Sequence, residues 1–306
     1  AVVREDMSGV RAPRRKAVVV GFGKMGQLHL STLTAMSSID VIGIVDVDST
    51  RRSLAERSGL AFAAQPRDLP RSADIAIVAT PPETHRDVVV PLLEAGVHCL
   101  VEKPLALKLD DIEAMSAAAT AAGVVLAIGQ TERFNVNIEQ CARMLENAPG
   151  TVTASRISPL MPGSTRPDVI ADLLIHDLDW IVMVEGHTEC QVQVLEAKAR
   201  DGIIVRLRCR LDYGRRQYDL EACHAGSRRS RTVDVAVPGR EPKRFDLTAL
   251  PREPGTDPLS RQAQSFLDLC EGKAASIAVA RDAHRVFCLS ERIRGLCAIP
   301  ALVAED

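Results

Sequence analysis

The sequence predicts an α/β protein with an N-terminal doubly wound parallel sheet and a C-terminal α+β domain whose open sheet is largely antiparallel. Between residues 17 and 129, short apolar runs alternate with helical patterns, which is typical of parallel strands joined by crossover helices. Between residues 190 and 237, strand patterns follow one another across short turns such as Asp201-Gly202, which indicates antiparallel pairing. Residues 240–258 are rich in proline and predict an irregular excursion.

We expect three segments in the 306 residues. Residues 1–15 are predicted to be a disordered lead-in. Residues 16–135 are predicted to form a dinucleotide-binding domain, and residues 136–306 a domain for substrate binding and oligomerisation. Two C-terminal helices, predicted near 259–270 and 281–297, are expected to pack back on the first domain.

Composition and charge argue against several classes of protein. The chain is 46% hydrophobic. Its net charge of −2 offers no electrostatic reason to bind nucleic acid or an anionic membrane. Its eight cysteines include no C-x-x-C pair, which favours free thiols in a reducing compartment over a zinc site. We see neither a secretory leader nor an apolar run of membrane-spanning length, and therefore expect a cytoplasmic protein.

A glycine-rich turn is the first feature that points to chemistry. Gly21, Gly23 and Gly26 have the G-x-G-x-x-G spacing and lie between the apolar run 17–20 and a helical pattern. In a Rossmann fold the first glycine permits a tight turn, the second lets the backbone approach a pyrophosphate, and the third lets the helix pack closely on the strand. The free N–H groups of the helix N-terminus favour the phosphate. We therefore predict a Rossmann domain whose dinucleotide contacts Gly21, Phe22, Gly23, Lys24, Met25 and Gly26.

An acidic residue, Asp46, ends the next apolar run, 41–45. A carboxylate at this place hydrogen-bonds the adenosine ribose of NAD and repels the 2′-phosphate of NADP. Arg51 and Arg52 follow, and an arginine here can accept that phosphate. We predict NAD as the cofactor, with contacts from Asp46 and Arg51, and keep NADP as the alternative.

Two further strands of the predicted parallel sheet end in proline-containing motifs. The run 73–79 leads into Thr80-Pro81-Pro82, and the run 97–101 leads into Glu102-Lys103-Pro104. Open α/β sheets bind ligands at this edge. A lysine held there suits acid–base work, because a charged neighbour or desolvation lowers its pKa, although an ordinary loop lysine is the alternative. These motifs add Thr80, Pro81, Pro82, His85, Glu102 and Lys103 to the predicted cofactor contacts.

Asp172, His176 and Asp179 are spaced four and three residues apart, so on a helix they share one face. Either carboxylate could orient the imidazole, and the imidazole could exchange a proton with a substrate hydroxyl. The spacing alone gives equal weight to a helix with an acidic N-terminus and a satisfied histidine. One histidine with this spacing does not form a set of metal ligands, so no metal is predicted.

A charged strand is predicted in the second domain. From Val205 to Leu211, apolar residues alternate with three arginines. We expect Val205 and every second residue after it to face the core, with the arginines on the open face. Asp219 and Glu221 on the next strand could pair with these arginines, which favours a charge-paired surface over a nucleic-acid site.

Taken together, the motifs resemble the Gfo/Idh/MocA family of nicotinamide-dependent oxidoreductases. The resemblance is carried by residues 21–29, 79–85, 102–104, 130–134 and 172–179, which span much of the chain. One minor departure is Asn135-Val136, where the family often has a proline. The resemblance implies a catalytic group made of Lys103, Asp172 and His176.

The predicted function is hydride transfer between NAD and a hydroxyl or keto carbon of a sugar, amino sugar, polyol or cyclitol. His176 is the first choice for the base, with Lys103 stabilising the alkoxide and Asp172 orienting both, and the first two residues could exchange roles. All three are predicted to contact the substrate. Arg133 and Arg166 are weaker candidates for the same contact.

Three alternatives stay open for the function. The protein could reduce an imine or a non-sugar ketone, or use NAD to assist glycoside cleavage, which opens with the same redox step. A non-catalytic NAD-sensing regulator would need neither the lysine nor the histidine that this chain has. The resemblance also implies a homodimer or homotetramer formed through the open face of the C-terminal sheet.

Overall fold

The computed structural model describes residues 14–69, 72–159, 168–224, 228–249 and 255–297. Its strands are β1 Arg15–Val20, β2 Ile39–Val45, β3 Ala61–Ala63, β4 Ile75–Val78, β5 His98–Glu102, β6 Leu126–Gly129, β7 Gly150–Ile157, β8 Gln191–Arg200, β9 Ile203–Asp212, β10 Arg216–Cys223, β11 Ser230–Ala236, β12 Lys243–Asp246 and β13 Ala278–Val279. Its helices are α1 Lys24–Thr34, α2 Arg52–Arg57, α3 His85–Glu94, α4 Leu109–Ala122, α5 Val136–Leu145, α6 Ile175–Glu185, α7 Pro258–Cys270 and α8 Ala280–Leu296.

The first sheet has the strand order β13-β6-β5-β4-β1-β2-β3. Strands β1 to β6 are parallel, and their order 3-2-1-4-5-6 is that of a doubly wound dinucleotide-binding fold. Residues 17–20 of the central β1 are at most 2% exposed, because helices cover both faces of the sheet. The predicted Rossmann sheet is thus confirmed, and the carboxyl ends of β1, β4 and β5 meet at one edge.

The end of the chain returns to this first sheet. The two residues of β13 pair antiparallel with Ala127 and Ile128 at its edge. This strand was missed, because two residues are too few to show a period. Phe266 and Leu267 of α7 belong to the same apolar core as β1. The division of the chain at residues 135 and 136 stays a prediction, which limited proteolysis can test.

The second sheet has the strand order β12-β11-β7-β10-β9-β8. Its strands pair antiparallel, except for β7 and β10, which are parallel. One face packs on α5, α6 and α8 in a core that contains Trp180 and Tyr218. The prediction of a largely antiparallel open sheet is therefore confirmed.

Strands β9 and β12 differ in detail from the sequence prediction. Ile204 is buried in place of Val205, because the pairing of β8 with β9 shifts register between Lys198 and Ala199. Strand β12 lies within residues 240–258, which were predicted to be irregular. Phe245 is its one buried side chain, so the sequence there shows no alternation of apolar and polar residues.

At the N-terminus, β1 begins at Arg15, inside the predicted lead-in, while residues 1–13 lie outside the described part of the chain. None of the described helices combines the length and apolar character needed to cross a bilayer.

Candidate active site

The glycine turn between β1 and α1 has the geometry that its spacing predicts. Gly21 has φ +86°, and a Cβ there would lie 2.7 Å from the backbone of Ala79 and Thr80. A Cβ on Gly26 would lie 2.0 Å from the carbonyl oxygen of Gly21. A Cβ on Gly23 would meet no atom within 4 Å, so the turn is open on the side where a pyrophosphate would approach.

The start of α1 also fits a dinucleotide phosphate. No side chain caps the helix at Gly23, and its first turn has no acidic residue, so its N–H groups and partial positive charge remain available. Lys24 is exposed and Met25 half-buried beside them, whereas the ring of Phe22 is buried in the core. Phe22 can therefore serve the cofactor only through its backbone.

Asp46 lies at the end of β2, next to this turn. Its Oδ2 accepts a hydrogen bond from the Phe22 backbone N–H at 2.6 Å, and its Oδ1 accepts one from Asp48 at 2.8 Å. Arg51 donates to the Phe22 carbonyl oxygen at 2.9 Å, and its Nε lies 3.5 Å from an Asp48 oxygen. The turn thus orients both Asp46 and Arg51, and the acidic residues already hold the arginine.

The loop after β4 is tied to the loop after β5. His85 is fully buried, with Nε2 2.9 Å from the Thr80 carbonyl oxygen and Nδ1 3.0 Å from that of Leu105. This predicted cofactor residue therefore lies beneath the loop and fixes it in place. Pro81 is exposed and Pro82 half-buried at the sheet edge, where Thr80 also accepts a hydrogen bond from Thr84 at 2.9 Å.

Glu102, at the end of β5, links Lys103 to the cofactor helix. Its Oε1 lies 2.7 Å from Nε2 of His29 on α1, and its Oε2 accepts from the Lys103 backbone N–H at 3.3 Å. The peptide bond between Lys103 and Pro104 is cis. These contacts place the lysine at the carboxyl edge of the first sheet, facing the second.

Lys103 meets Asp172 there. The lysine Nζ donates to the Asp172 carbonyl oxygen at 3.0 Å and lies 3.5 Å from its carboxylate Oδ1. Asp172 belongs to a π-helical turn, Ile170–Leu174, which leads directly into α6 and His176. Nε2 of His224, just after β10, lies 3.5 Å from the other carboxylate oxygen of Asp172. The structure thus brings the catalytic residues predicted from the two halves of the chain to one place.

His176 is held as a neutral imidazole. Burial lowers its pKa well below the ordinary value, and the charges of Lys103, Arg156 and Arg231 act in the same direction. Its Nδ1 is buried without a hydrogen-bond partner among the described residues. Burial also lowers the pKa of Lys103, an effect that Asp172 and Glu102 offset only in part. The imidazole is therefore in the neutral form that can accept a proton, while burial and the neighbouring cations make it a weaker base than a free histidine.

A buried ion network holds the helix of His176 on the second sheet. Arg156 of β7 donates to both carboxylate oxygens of Asp177, at 2.6 and 3.0 Å, and to Oε2 of Glu132 at 2.6 Å. Glu132 Oε1 accepts from Asn135 at 2.9 Å. Burial raises the pKa of Glu132, but Arg156 and its other partners more than offset this and leave the pKa lowered. The network fixes α6 and hence His176.

Two predicted roles do not fit the structure. Arg133 is 5% exposed and pairs with Asp179 at 2.7 and 2.8 Å and with Asp282 at 3.2 Å, so its guanidinium joins elements rather than reaching a substrate. The carboxylate of Asp179 is paired with Arg133 and does not orient His176. Both residues lie on α6 with the predicted spacing, but Arg133 occupies both carboxylate oxygens of Asp179.

Arg166 lies outside the described residues. Two arginines that sequence reasoning missed, Arg156 and Arg231, are in phase with buried apolar residues of their own strands, and this alternation is the pattern that would have revealed them. His224 sits in a turn and carried no such pattern. Across the described ranges, no group of three or more His, Cys, Asp or Glu side chains could hold a metal ion.

Comparison with known proteins matches the geometry. A model of an oxidoreductase family with an NAD-binding Rossmann fold matches residues 15–130. UDP-N-acetylglucosamine 3-dehydrogenase of Acidithiobacillus ferrooxidans is 33% identical over 183 residues, 59% of this chain and 58% of the relative. Myo-inositol 2-dehydrogenase of Thermotoga maritima is 29% identical over 180 residues, 55% of this chain and 54% of the relative. The matched part of the chain spans little more than half the length of these curated relatives.

A solved structure of the UDP-N-acetylglucosamine 3-dehydrogenase from Acidithiobacillus ferrooxidans has the same fold. It superposes with a TM-score of 0.83 at 23% identity and covers 93% of this chain and 98% of its own. The likeness extends through both sheets, so the fold predicted from the sequence is confirmed. Residues 15–130 thus match the Gfo/Idh/MocA oxidoreductase family, with its NAD-binding Rossmann fold, and the chain as a whole shares the fold of this solved dehydrogenase.

Proposed function

We propose that this protein is an NAD-dependent dehydrogenase that oxidises a hydroxyl group of a sugar, amino sugar, polyol or cyclitol, or reduces the corresponding ketone. One observation carries the proposal: Lys103, at the edge of the cofactor sheet, contacts Asp172 one helical turn before His176. The names of the two relatives, a dehydrogenase of a sugar nucleotide and one of an inositol, support this substrate class.

His176, Lys103 and Asp172 have different roles in the reaction, which follow from their charges. When bound, the nicotinamide accepts or returns the hydride. His176, neutral because of burial and neighbouring cations, takes the proton of the hydroxyl group during oxidation. Lys103 stabilises the negative charge that develops on the same oxygen. Asp172 holds the lysine through its carbonyl and carboxylate oxygens. In reduction the histidine returns the proton.

The geometry of Asp46 supports NAD in preference to NADP. Backbone N–H groups of Phe22 and Asp48 hold the carboxylate beside the glycine turn, where it would accept from ribose hydroxyls and repel a 2′-phosphate. Arg51 is held by Phe22 and Asp48, and is therefore not free to bind that phosphate without losing these contacts.

The open face of the second sheet supports a homodimer or homotetramer. Arg210 pairs with Asp219 at 2.6 Å, and Arg206 pairs with Glu221 at 2.8 Å, as alternation predicts. A charge-paired sheet face of this kind is suited to a polar interface with a second copy. Sedimentation velocity at low and high salt tests this, and a monomer at both salt concentrations would exclude it. We also propose a cytoplasmic location, since all eight cysteines are free thiols.

A substrate screen tests the function. Polyols, sugars, nucleotide sugars and keto compounds are offered with NAD or NADH, and absorbance of the reduced cofactor is followed. Turnover of at least one hydroxylated ring compound is expected. Turnover confined to imines or non-sugar ketones would favour the reductase alternative, and cofactor binding with no turnover of any compound would favour the regulator.

A further inference from the structure

Arg231 stands apart from the buried arginines of the second sheet. It lies on β11 directly opposite Arg156 of β7, and alternates in phase with the buried Val233 and Val235. Its side chain therefore points to the face of the sheet that α6 and His176 cover. Arg156 is 1% exposed, whereas the side chain of Arg231 is 30% exposed. Arg231 thus lies at the solvent-accessible edge of the buried ion network.

The carboxylate oxygens of the buried ion network already accept hydrogen bonds from other residues. Arg156 uses both oxygens of Asp177 and one oxygen of Glu132, and Asn135 uses the other. The guanidinium of Arg231 reaches only the shared Glu132 oxygen, at 3.6 Å, and donates no hydrogen bond to any described residue. A guanidinium group has five N–H donors arranged to bind a planar anion. Within the described part of the chain, the Arg231 side chain therefore combines a positive charge with N–H donors that have no acceptor.

The surroundings of Arg231 add to this positive charge. Arg228 and Arg229 precede it and are exposed, and the charge of Arg229 acts on Arg231. The charge of Arg231 in turn lowers the pKa values of Lys103 and His176, so Arg231 lies within electrostatic reach of both. Lys103 has Asp172 as its partner, whereas the one acidic contact of Arg231 among the described residues is Glu132, which it shares with Arg156.

The cofactor does not account for this arginine. Its expected phosphate and ribose contacts, the glycine turn and Asp46, belong to the first sheet, whereas Arg231 belongs to the second. We propose that Arg231 binds an anionic group of the substrate, a carboxylate or a phosphate, so that the substrate is a charged derivative of a sugar or cyclitol. This inference rests on the proposed function for the identity of the reacting group, but not for the anion site itself.

A set of matched substrates tests the inference by turnover. N-acetylglucosamine is compared with its 1-phosphate and its UDP ester, and glucose with glucuronate, which separates phosphate from carboxylate. We expect kcat/KM to be at least about tenfold higher for a charged member than for its neutral counterpart, mainly through KM. Arg231→Met should lower the charged-to-neutral ratio about 10- to 100-fold, and Arg231→Lys should lower it less, because charge remains but the planar fork is lost.

Two controls keep this comparison interpretable. Arg143→Met, at an exposed arginine of α5, should keep the wild-type ratio. The NADH affinity and thermal midpoint of Arg231→Met and Arg231→Lys show whether each variant is folded, and the folded one is used. A neutral substrate preferred by the wild type, or a folded variant that keeps the preference for charge, would overturn the inference.

A binding measurement separates this inference from the proposed function. The enzyme is saturated with NADH and titrated with malonate and with pyrophosphate in a calorimeter. Binding to wild type that weakens at least about tenfold in Arg231→Met supports the anion site, even if no substrate turns over and the proposed function fails. Turnover of neutral sugars without any Arg231-dependent binding of malonate or pyrophosphate would overturn the anion site and leave the dehydrogenase function standing.

Discussion

The Nζ atom of Lys103 lies 3.0 Å from the carbonyl oxygen of Asp172, although 69 positions separate the two residues. The contact joins the edge of the cofactor sheet to the helix of the second sheet that carries His176. This hydrogen bond engages the backbone oxygen of Asp172 rather than its carboxylate. It therefore holds the lysine in place independently of the charge on Asp172.

The contact leads to a prediction for Lys103. Lys103→Ala should lower kcat for hydride transfer by about 10² to 10⁴, because stabilisation of the developing alkoxide is lost. NADH affinity, measured by fluorescence titration, should change little, since the glycine turn and Asp46 remain. Lys108→Ala, at an exposed lysine of the same loop, should behave as wild type. Retention of most activity by the Lys103 variant would remove this residue from the mechanism.

The environment of His176 predicts the pH dependence of oxidation. Its pKa lies well below the ordinary value of 6.5, so kcat/KM should stay level as pH falls through 6.5 and decline only at lower pH, when the base becomes protonated. His176→Asn should depress kcat and flatten this acid limb, whereas His187→Asn, at an exposed position, should leave the profile as in wild type. An unchanged limb in His176→Asn would contradict its role as the base.

The same shift affects stability. Above the ordinary histidine pKa, His176 is neutral in both folded and unfolded chains and contributes no pH dependence. Below that value the unfolded chain binds a proton that the folded chain resists, so stability falls with falling pH. Denaturant unfolding at a series of pH values should therefore show less acid sensitivity in His176→Asn.

Asp46 should decide which cofactor binds. Fluorescence titration of the wild type is expected to show tighter binding of NADH than of NADPH. Asp46→Asn keeps the shape and an acceptor for Phe22 N–H but removes the charge, so it should reduce this preference about tenfold or more. Asp87→Asn, exposed on α3, provides the matched control. Tighter binding of NADPH by the wild type would refute the role assigned to Asp46.

Arg133 should matter for stability rather than for substrate binding. Arg133→Met leaves Asp179 buried without its partner and should cost about 3–5 kcal/mol of unfolding free energy, measured with denaturant. Arg143→Met, at an exposed arginine, should stay within about 0.5 kcal/mol of wild type. Adding Asp179→Leu to the first variant should recover part of the loss. A stable Arg133 variant with a raised KM would restore the substrate contact that the sequence suggested.

Much of the fold was predictable because its patterns are local. The apolar run before Gly21, the carboxylate at Asp46 and the strand ends at Pro81 and Lys103 each reflect constraints within a few residues. Strand β13 and the shift at Ile204 were not predictable, since the first is too short for a period and the second depends on pairing with β8.

The same distinction applies to the site. The sequence by itself determined the glycine turn, the acidic end of β2 and the presence of a lysine and a histidine, because these depend on residue type and local spacing. Only the tertiary structure decided that Lys103 meets Asp172, that Arg133 pairs with Asp179, and that Arg231 shares Glu132 with Arg156. The physical reason is that acidic groups are shared among cations by distance and burial, and neither is set until the two sheets pack together.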